Sequence, residues 1–254
     1  MSSSTDKNTL LTTLKTYFGY DSFRNEQSAI IETVLNGEDA IVIMPTGGGK
    51  SICYQLPAVL FEGLTLVISP LIALMKDQVD GLKANGIAAD FYNSSQSAED
   101  QQAIIDQVAN RNLKLLYVAP ESLAGLNPIL NKTYISCIAI DEAHCVSHWG
   151  HDFRQDYRAL GQIKSRFKDI PVIGLTATAD AATQQDILTQ LQLDAPLVYK
   201  GSFDRPNIRY RVMSKYKAFE QVVAYVKQQD GSGIIYCNSR AKVDDLHAKL
   251  FRQG

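Results

Sequence analysis

The residues of this chain best suited to chemistry lie in the run 40–51, Ala-Ile-Val-Ile-Met-Pro-Thr-Gly-Gly-Gly-Lys-Ser. Four apolar residues lead into Pro45 and Thr46, then Gly47, Gly48 and Gly49, then Lys50 and Ser51. Such a run reads as a buried strand, a tight glycine loop and a helix that starts at the lysine. The loop can turn backbone N–H groups inward around a phosphate, and the helix N-terminus adds a partial positive charge. Lys50 is spaced to reach the β- and γ-phosphates of a nucleotide, and the Ser51 hydroxyl to ligate Mg²⁺. The usual pattern, G-x-x-x-x-G-K-[ST], has glycine where this chain has Met44, so the loop is one glycine short.

A second group is Asp141, Glu142, Ala143 and His144, directly after the apolar run 135–140. A buried parallel strand delivers such residues at its C-terminal end, where ligands of parallel sheets bind. Two adjacent carboxylates about ninety residues beyond a phosphate loop suit metal-nucleotide hydrolysis. Asp141 would hold Mg²⁺, through water, and Glu142 would orient and deprotonate the attacking water. Taken alone, the pair also fits a solvated helix start favoured by the helix dipole. A third group, Gly-Leu-Thr-Ala-Thr-Ala at 174–179, puts Thr176 and Thr178 at another strand end. They could exchange hydrogen bonds with the acidic loop, or simply end a strand before a helix cap.

The elements that must position these groups alternate. Apolar recurrence at Leu10, Leu11, Leu14 and Phe18 predicts a first helix ended by Gly19, and a second runs from Asn25 as N-cap to Leu35. Beyond the glycine loop, short strands are expected over 65–69, 88–92, 115–118, 135–140, 172–176 and 197–199, with helices over 71–83, 98–108, 157–167 and 181–191. Ser97 and Asp100 have capping-box spacing. Strands apolar throughout belong in a parallel sheet covered on both faces, so the class is α/β, doubly wound. Near Gly201 the pattern resets through a polar, proline-containing linker at 201–207. A second, smaller set then follows: a strand over 208–213, a helix over 219–228, a strand over 233–237 and a helix over 242–251. The domain reading is therefore 1–200, linker 201–207, and 208–254 as the first part of a second α/β domain, too small to bury a core comfortably.

Composition bounds the rest. At 45% hydrophobic and 20% charged residues, the 254-residue chain has the make-up of an ordinary soluble domain. Its net charge of -2 does not advertise a nucleic-acid binder, so any such site is local or built from backbone amides. Cys53, Cys137, Cys145 and Cys237 have no zinc-type spacing; Cys53, Cys137 and Cys237 sit in apolar runs and read as buried free thiols, which fits a reducing compartment. No secretory leader or membrane-length apolar run is visible. A cytoplasmic, nucleoid-associated location, if the source is bacterial, and a monomeric state are the expectations.

The set TGGGKS, DEAH and TATA on alternating strands and helices resembles the motor core of superfamily 2 helicases. Longer stretches narrow this: 18–24 (FGYDSFR), 44–51, 69–78 (SPLIALMKDQ), 117–121 (YVAPE), 149–154 (WGHDFR), 202–207 (SFDRPN) and 235–240 (IYCNSR) resemble the RecQ family of DNA helicases. The resemblance runs from about residue 10 to the end, and that family tolerates a residue other than glycine at position 44. It implies a RecA-like, P-loop NTPase sheet followed by the beginning of a second RecA-like domain. It also implies ATP and Mg²⁺ as cofactors, and single-stranded and tailed or forked duplex DNA as partners. By the same resemblance, Lys50, Asp141, Glu142 and His144 would be catalytic. Tyr20 and Arg24 would sandwich the adenine, with Gln27 reading its edge, and Thr46 through Ser51 would hold the phosphates. Ser69, Pro70 and Gln78 would lie along the DNA backbone. Trp149 and Phe153 would stack on bases, with Arg154 near phosphate or ATP, in a loop able to report DNA to the hydrolytic site. The family has Pro-Gly where this chain has Asn25-Glu26, and Gln where it has His148.

In that family the second motor domain supplies an arginine finger in a Q-x-x-G-R-x-G-R type motif, with zinc-binding and winged-helix domains following. These 254 residues contain no such motif. Two readings follow: a 3′-to-5′ DNA motor of which this chain holds the nucleotide half, or a module that binds ATP and single-stranded DNA without productive turnover. An RNA helicase of a related group is a third.

Overall fold

The computed structural model describes residues 6–147, 155–193, 195–202, 204 and 207–252. The chain divides into two compact units, residues 1–203 and 204–254.

The first unit is built on seven parallel strands: β1 (Ala40–Ile43), β2 (Leu64–Ile68), β3 (Ala89–Tyr92), β4 (Leu115–Val118), β5 (Ile135–Ile140), β6 (Val172–Thr176) and β7 (Leu197–Lys200), in the order β3-β4-β2-β5-β6-β1-β7. Helices cross between them: α1 (Lys7–Phe18), α2 (Gln27–Leu35), α3 (Ile52–Leu60), α4 (Ile72–Ala84), α5 (Ala98–Ala109), α6 (Leu123–Leu130), the single turn α7 (Ile163–Arg166) and α8 (Ala181–Leu191). The continuous apolar strands are the signature of this arrangement, because each is buried on both faces. In β1, Ile41 and Ile43 enter one core, shared with α5, α6 and α8. Ala40 and Val42 enter the other, shared with α2, α3 and α4. Leu10 and Leu14 of α1 close a third cluster with Ile31, Ile52 and Leu56.

Ser97 caps α5: its Oγ accepts the Asp100 N–H at 3.1 Å and donates to the Asp100 carboxylate at 2.8 Å, so the expected pair meets through the serine hydroxyl. Two expectations are corrected. Asn25 is not the cap of α2. It takes a left-handed turn (φ 48°), Glu26 occupies the cap position, and Gln27 Oε1 instead accepts the Arg24 N–H. The helix expected over 157–167 is a 3₁₀ run, Gln155–Gln162, followed by α7. Gly161 lies there close to α8, its would-be Cβ 3.0 Å from Gln190 O.

The second unit holds two helices, α9 (Ala218–Val226) and α10 (Arg240–Phe251). The strands expected over 208–213 and 233–237 are absent: those residues make no strand pairing and are mostly solvent-exposed. A strand needs a hydrogen-bonded neighbour and an apolar face to lie against, and these segments have neither.

Candidate active site

The phosphate-type loop leaves β1 at Met44 and enters α3 at Ser51. Its shape depends on Gly47 (φ 80°) and Gly49 (φ 81°), a backbone region that favours glycine. Gly49 has a second reason to be glycine, since a Cβ there would lie 2.4 Å from Gln27 Nε2. Met44, the departure from the usual pattern, is fully buried in the core under α2, α3 and α4. That position ends the strand and faces the core, so a side chain fits there. Lys50 Nζ donates to Met44 O at 3.0 Å, folded over the loop from which it would reach a phosphate.

The acidic group sits at the end of β5, held by Asp141 N donating to Ile68 O at 2.8 Å and Tyr157 OH donating to Asp141 O at 3.1 Å. Glu142 takes a left-handed conformation (φ 48°) and opens the 3₁₀ turn Ala143–Val146. That kink separates the two adjacent carboxylates. Asp141 turns inward and accepts the Glu142 N–H at 3.0 Å. Glu142 Oε2 lies 3.3 Å from His144 Nδ1. The same Nδ1 is 2.9 Å from Thr176 Oγ1, which donates to Thr178 O at 3.1 Å, and Met44 N donates to Thr176 O at 3.1 Å. The end of β6 thus bridges the glycine loop to the acidic turn. Gly174 permits this closeness, since a Cβ would strike Ile41 at 2.7 Å and press on Ala143.

The electrostatics divide the two carboxylates. Burial, then the Glu142 charge, push the Asp141 carboxyl up to about 6, against the pull of the Glu142 N–H, Lys50 and the Ser69 hydroxyl. Contact with His144 holds Glu142 below the usual carboxylate range despite burial, with Lys50 helping. Contacts with Cys145 and then Glu142 push His144 upward, favouring imidazolium. Lys50 acts on both carboxylates, so loop and acidic turn form one charged site. Cys53 and Cys137 are pushed up by burial, to about 12 in the case of Cys53, and are inert thiols.

Because the folded state favours protonated Asp141, ionising it costs stability as pH rises from about 4 to about 6. Asp141→Asn keeps the oxygen that accepts the Glu142 N–H and removes the charge. It is expected to unfold at a higher temperature than the native chain at pH 8, by on the order of 2–3 kcal/mol in unfolding free energy, and to converge with it near pH 4. Melting curves across that interval check this; a variant less stable than the native chain at pH 8 contradicts it.

Of the other expected site residues, Tyr20 and Arg24 come together, the guanidinium 5.7 Å from the ring centroid. Two stacking contacts of about 3.5–4.0 Å need a gap nearer 7–8 Å, so a base enters only when the pair opens. Gln27 is buried, and its Nε2 donates to Gly49 O at 3.0 Å, tying the segment before α2 to the glycine loop. Ser69 is also buried, with its hydroxyl on Asp141, while Pro70 and Gln78 are half-buried. Gln78 Oε1 accepts from Gln55 Nε2 at 2.9 Å. Trp149, Phe153 and Arg154 lie outside the described residues. Tyr157 is the residue that sequence reasoning missed; only its place in the chain soon after the acidic group hinted at it.

Ser51 and Asp141 offer the hard oxygen donors that Mg²⁺ prefers, and two protein oxygens suffice when nucleotide phosphates and waters complete the shell. Among the described residues no group of three His, Cys, Asp or Glu could hold a metal ion by itself, and no helix is long and apolar enough to cross a membrane.

Comparison with known proteins places this geometry. The DEAD/DEAH box helicase family matches residues 24–187. The ATP-dependent DNA helicase RecQ of Haemophilus influenzae is 56% identical over 98% of this chain and 41% of that protein. The probable ATP-dependent DNA helicase RecS of Bacillus subtilis is 41% identical over 94% of this chain and 49% of that protein. The chain thus spans less than half the length of these curated relatives. Among solved structures, the DUF1998 helicase MrfA superposes with a TM-score of 0.71 at 20% identity, covering 100% of this chain and 41% of that one. A hypothetical ATP-dependent RNA helicase from Sulfolobus tokodaii superposes at 0.61 and 17% identity, covering 96% and 72%. At such identities these likenesses speak for the fold alone. The family match over most of the chain is decisive: the chain belongs to the DEAD/DEAH box helicase family, and it is similar over nearly its whole length to the RecQ proteins.

Proposed function

We propose that the chain is the nucleotide-hydrolysing half of an ATP-dependent 3′-to-5′ DNA helicase, coupling Mg²⁺-ATP hydrolysis to movement on single-stranded DNA and to unwinding of tailed or forked duplexes. The observation that carries this is the joining of Lys50, Asp141 and Glu142 into one charged site at the end of the sheet. The loop amides, Lys50 and the start of α3 bind the phosphates. Ser51 and Asp141 would hold the metal, which when bound would supply positive charge to the phosphates. Glu142, kept ionised by His144, accepts the proton of the attacking water. Tyr157 and Thr176 fix the strand ends that carry these groups. Tyr20, Arg24 and Gln27 receive the adenine, and Pro70, Gln78 and the loop with Trp149, Phe153 and Arg154 meet DNA.

A second reading is a module that holds ATP and single-stranded DNA without turnover. Where an arginine finger is known, it is worth on the order of 10³–10⁵ in rate. Phosphate release by this chain, with and without single-stranded DNA, separates the two. Slow release stimulated by DNA, with no strand separation on a 3′-tailed duplex, is the expected result. Tight nucleotide binding with no release at all selects the module, and preferential stimulation by RNA overturns the DNA assignment.

A further inference from the structure

Behind the glycine loop, the first turn of α3 sends two polar side chains into the core. Tyr54 and Gln55 are 2% and 6% exposed, and Tyr117 of β4, which they meet, is 1% exposed. The Tyr54 and Tyr117 hydroxyls are 3.2 Å apart. Gln55 Nε2 donates to Tyr117 OH at 3.0 Å and to Gln78 Oε1 of α4 at 2.9 Å, using both its hydrogens. The two tyrosine rings also meet edge-on, centroids 6.4 Å apart. At the other end the same turn is bound to Ser51, whose carbonyl accepts from Tyr54 N at 3.2 Å and Gln55 N at 2.9 Å. The Ser51 hydroxyl and the Asp141 charge both act on the Tyr54 phenol.

Hydrogen bonds therefore tie the serine that would face the metal, through the backbone of this turn and then the side chains of Gln55 and Tyr117, to a glutamine on the helix that would face DNA. Phenylalanine and methionine would fill this volume without leaving a donor at risk, and a buried polar group that loses its partner costs about 1–3 kcal/mol. Tyr117 OH accepts from Gln55, and its bond to the Tyr54 hydroxyl can run in either direction. A change of partner at Ser51 that shifts the first turn of α3 moves Tyr54 and Gln55 together, and with them the bonds to Tyr117 and Gln78. A chain of groups with discrete arrangements is what energetic coupling between sites requires.

We propose that Tyr54, Gln55 and Tyr117 are positioning residues that form a hydrogen-bond relay, through which occupation of the glycine loop and occupation of the Gln78 groove change each other's affinity. The inference rests on the functional reading above. Its test is a linkage measurement on this chain: the Kd of a fluorescent non-hydrolysable ATP analogue with Mg²⁺, alone and with saturating oligothymidylate. The native ratio of the two Kd values is expected to be about fivefold or more, the lower part of the usual range for coupled sites. Tyr117→Phe and Gln55→Met are each expected to bring that ratio within about twofold of one while leaving each single-ligand affinity within about threefold of native. The double variant should go no further than either single, since both cut one path. Tyr54→Phe, which keeps the ring contact and loses only the outer hydroxyl, gives an independent reading should either of the others unfold. A purely structural role would lower the melting temperature and weaken both ligands together with the ratio intact; that result, or a native ratio of one with both ligands bound, overturns the relay and spares the functional reading. Failure of the native chain to bind the analogue overturns the functional reading, and the relay falls with it.

Discussion

In Glu142→Gln, DNA-stimulated phosphate release is expected to fall by about 10²–10⁴, the usual worth of a positioned general base, while ATP affinity stays within about twofold of native. The two effects separate because the two carboxylates have separate tasks. Asp141 points inward, where in the proposed function it would share the metal with Ser51. Glu142 points away from it because its own left-handed backbone turns the chain. Glutamine at 142 can still meet His144 Nδ1, now 3.3 Å from Glu142 Oε2, so the turn keeps its shape. What is lost is a group that can take a proton. His144 has a double effect here. It keeps Glu142 ionised at neutral pH, which a base requires, and it lowers the basicity of the same carboxylate. His144→Ala is therefore a milder change than Glu142→Gln. Single-turnover hydrolysis beside equilibrium binding of ATP checks the separation; a variant that loses affinity and turnover in equal measure would place Glu142 in binding instead.

The parts of this site legible in the sequence are those that local chain geometry dictates. An apolar strand, three glycines and a lysine fix a loop without reference to anything distant, and the structure places the acidic pair at a strand end, where an apolar run of six residues must deliver it. Strand positions in the first unit agree with expectation to within a residue at either end for the same reason: continuous burial on both faces leaves little choice. The rest depends on residues far apart in sequence. Nothing near Gln55 announces Tyr117, sixty-two positions on, and nothing near Asp39 announces Lys164, whose ammonium meets its carboxylate at 2.7 Å beneath β1. The motif around Ser69 says nothing of Asp141, seventy-two positions on, to which packing turns the Ser69 hydroxyl. The second unit marks the other limit: apolar alternation over 208–213 and the short apolar run over 233–237 specify a strand only when a neighbour exists to pair with it.

Lys50→Ala is expected to weaken ATP binding by about tenfold to a hundredfold, since a hydrogen bond to a charged group is worth about 1.5–3 kcal/mol, and to reduce hydrolysis further. Binding of ADP should suffer less, because Lys50 is placed to reach the terminal phosphates. Folding should be affected by no more than about 0.5 kcal/mol, since the ammonium is half-exposed and its bond to Met44 O joins it only to its own loop. Lys50→Arg is not expected to rescue. The planar guanidinium is larger than the compact ammonium and spreads its charge over a fork, where the loop needs a point charge. The substitution also reaches the metal position. The Lys50 charge is one of the influences that hold the Asp141 carboxyl down against burial and Glu142. Without it that carboxyl titrates higher still, so the variant should need more Mg²⁺, and a higher pH, to reach half-maximal nucleotide binding. Calorimetric titration with ATP and ADP over a range of Mg²⁺ and pH measures all of these. Equal losses for the two nucleotides, with an unchanged Mg²⁺ requirement, would remove Lys50 from both the terminal phosphate and the charge balance of the acidic turn.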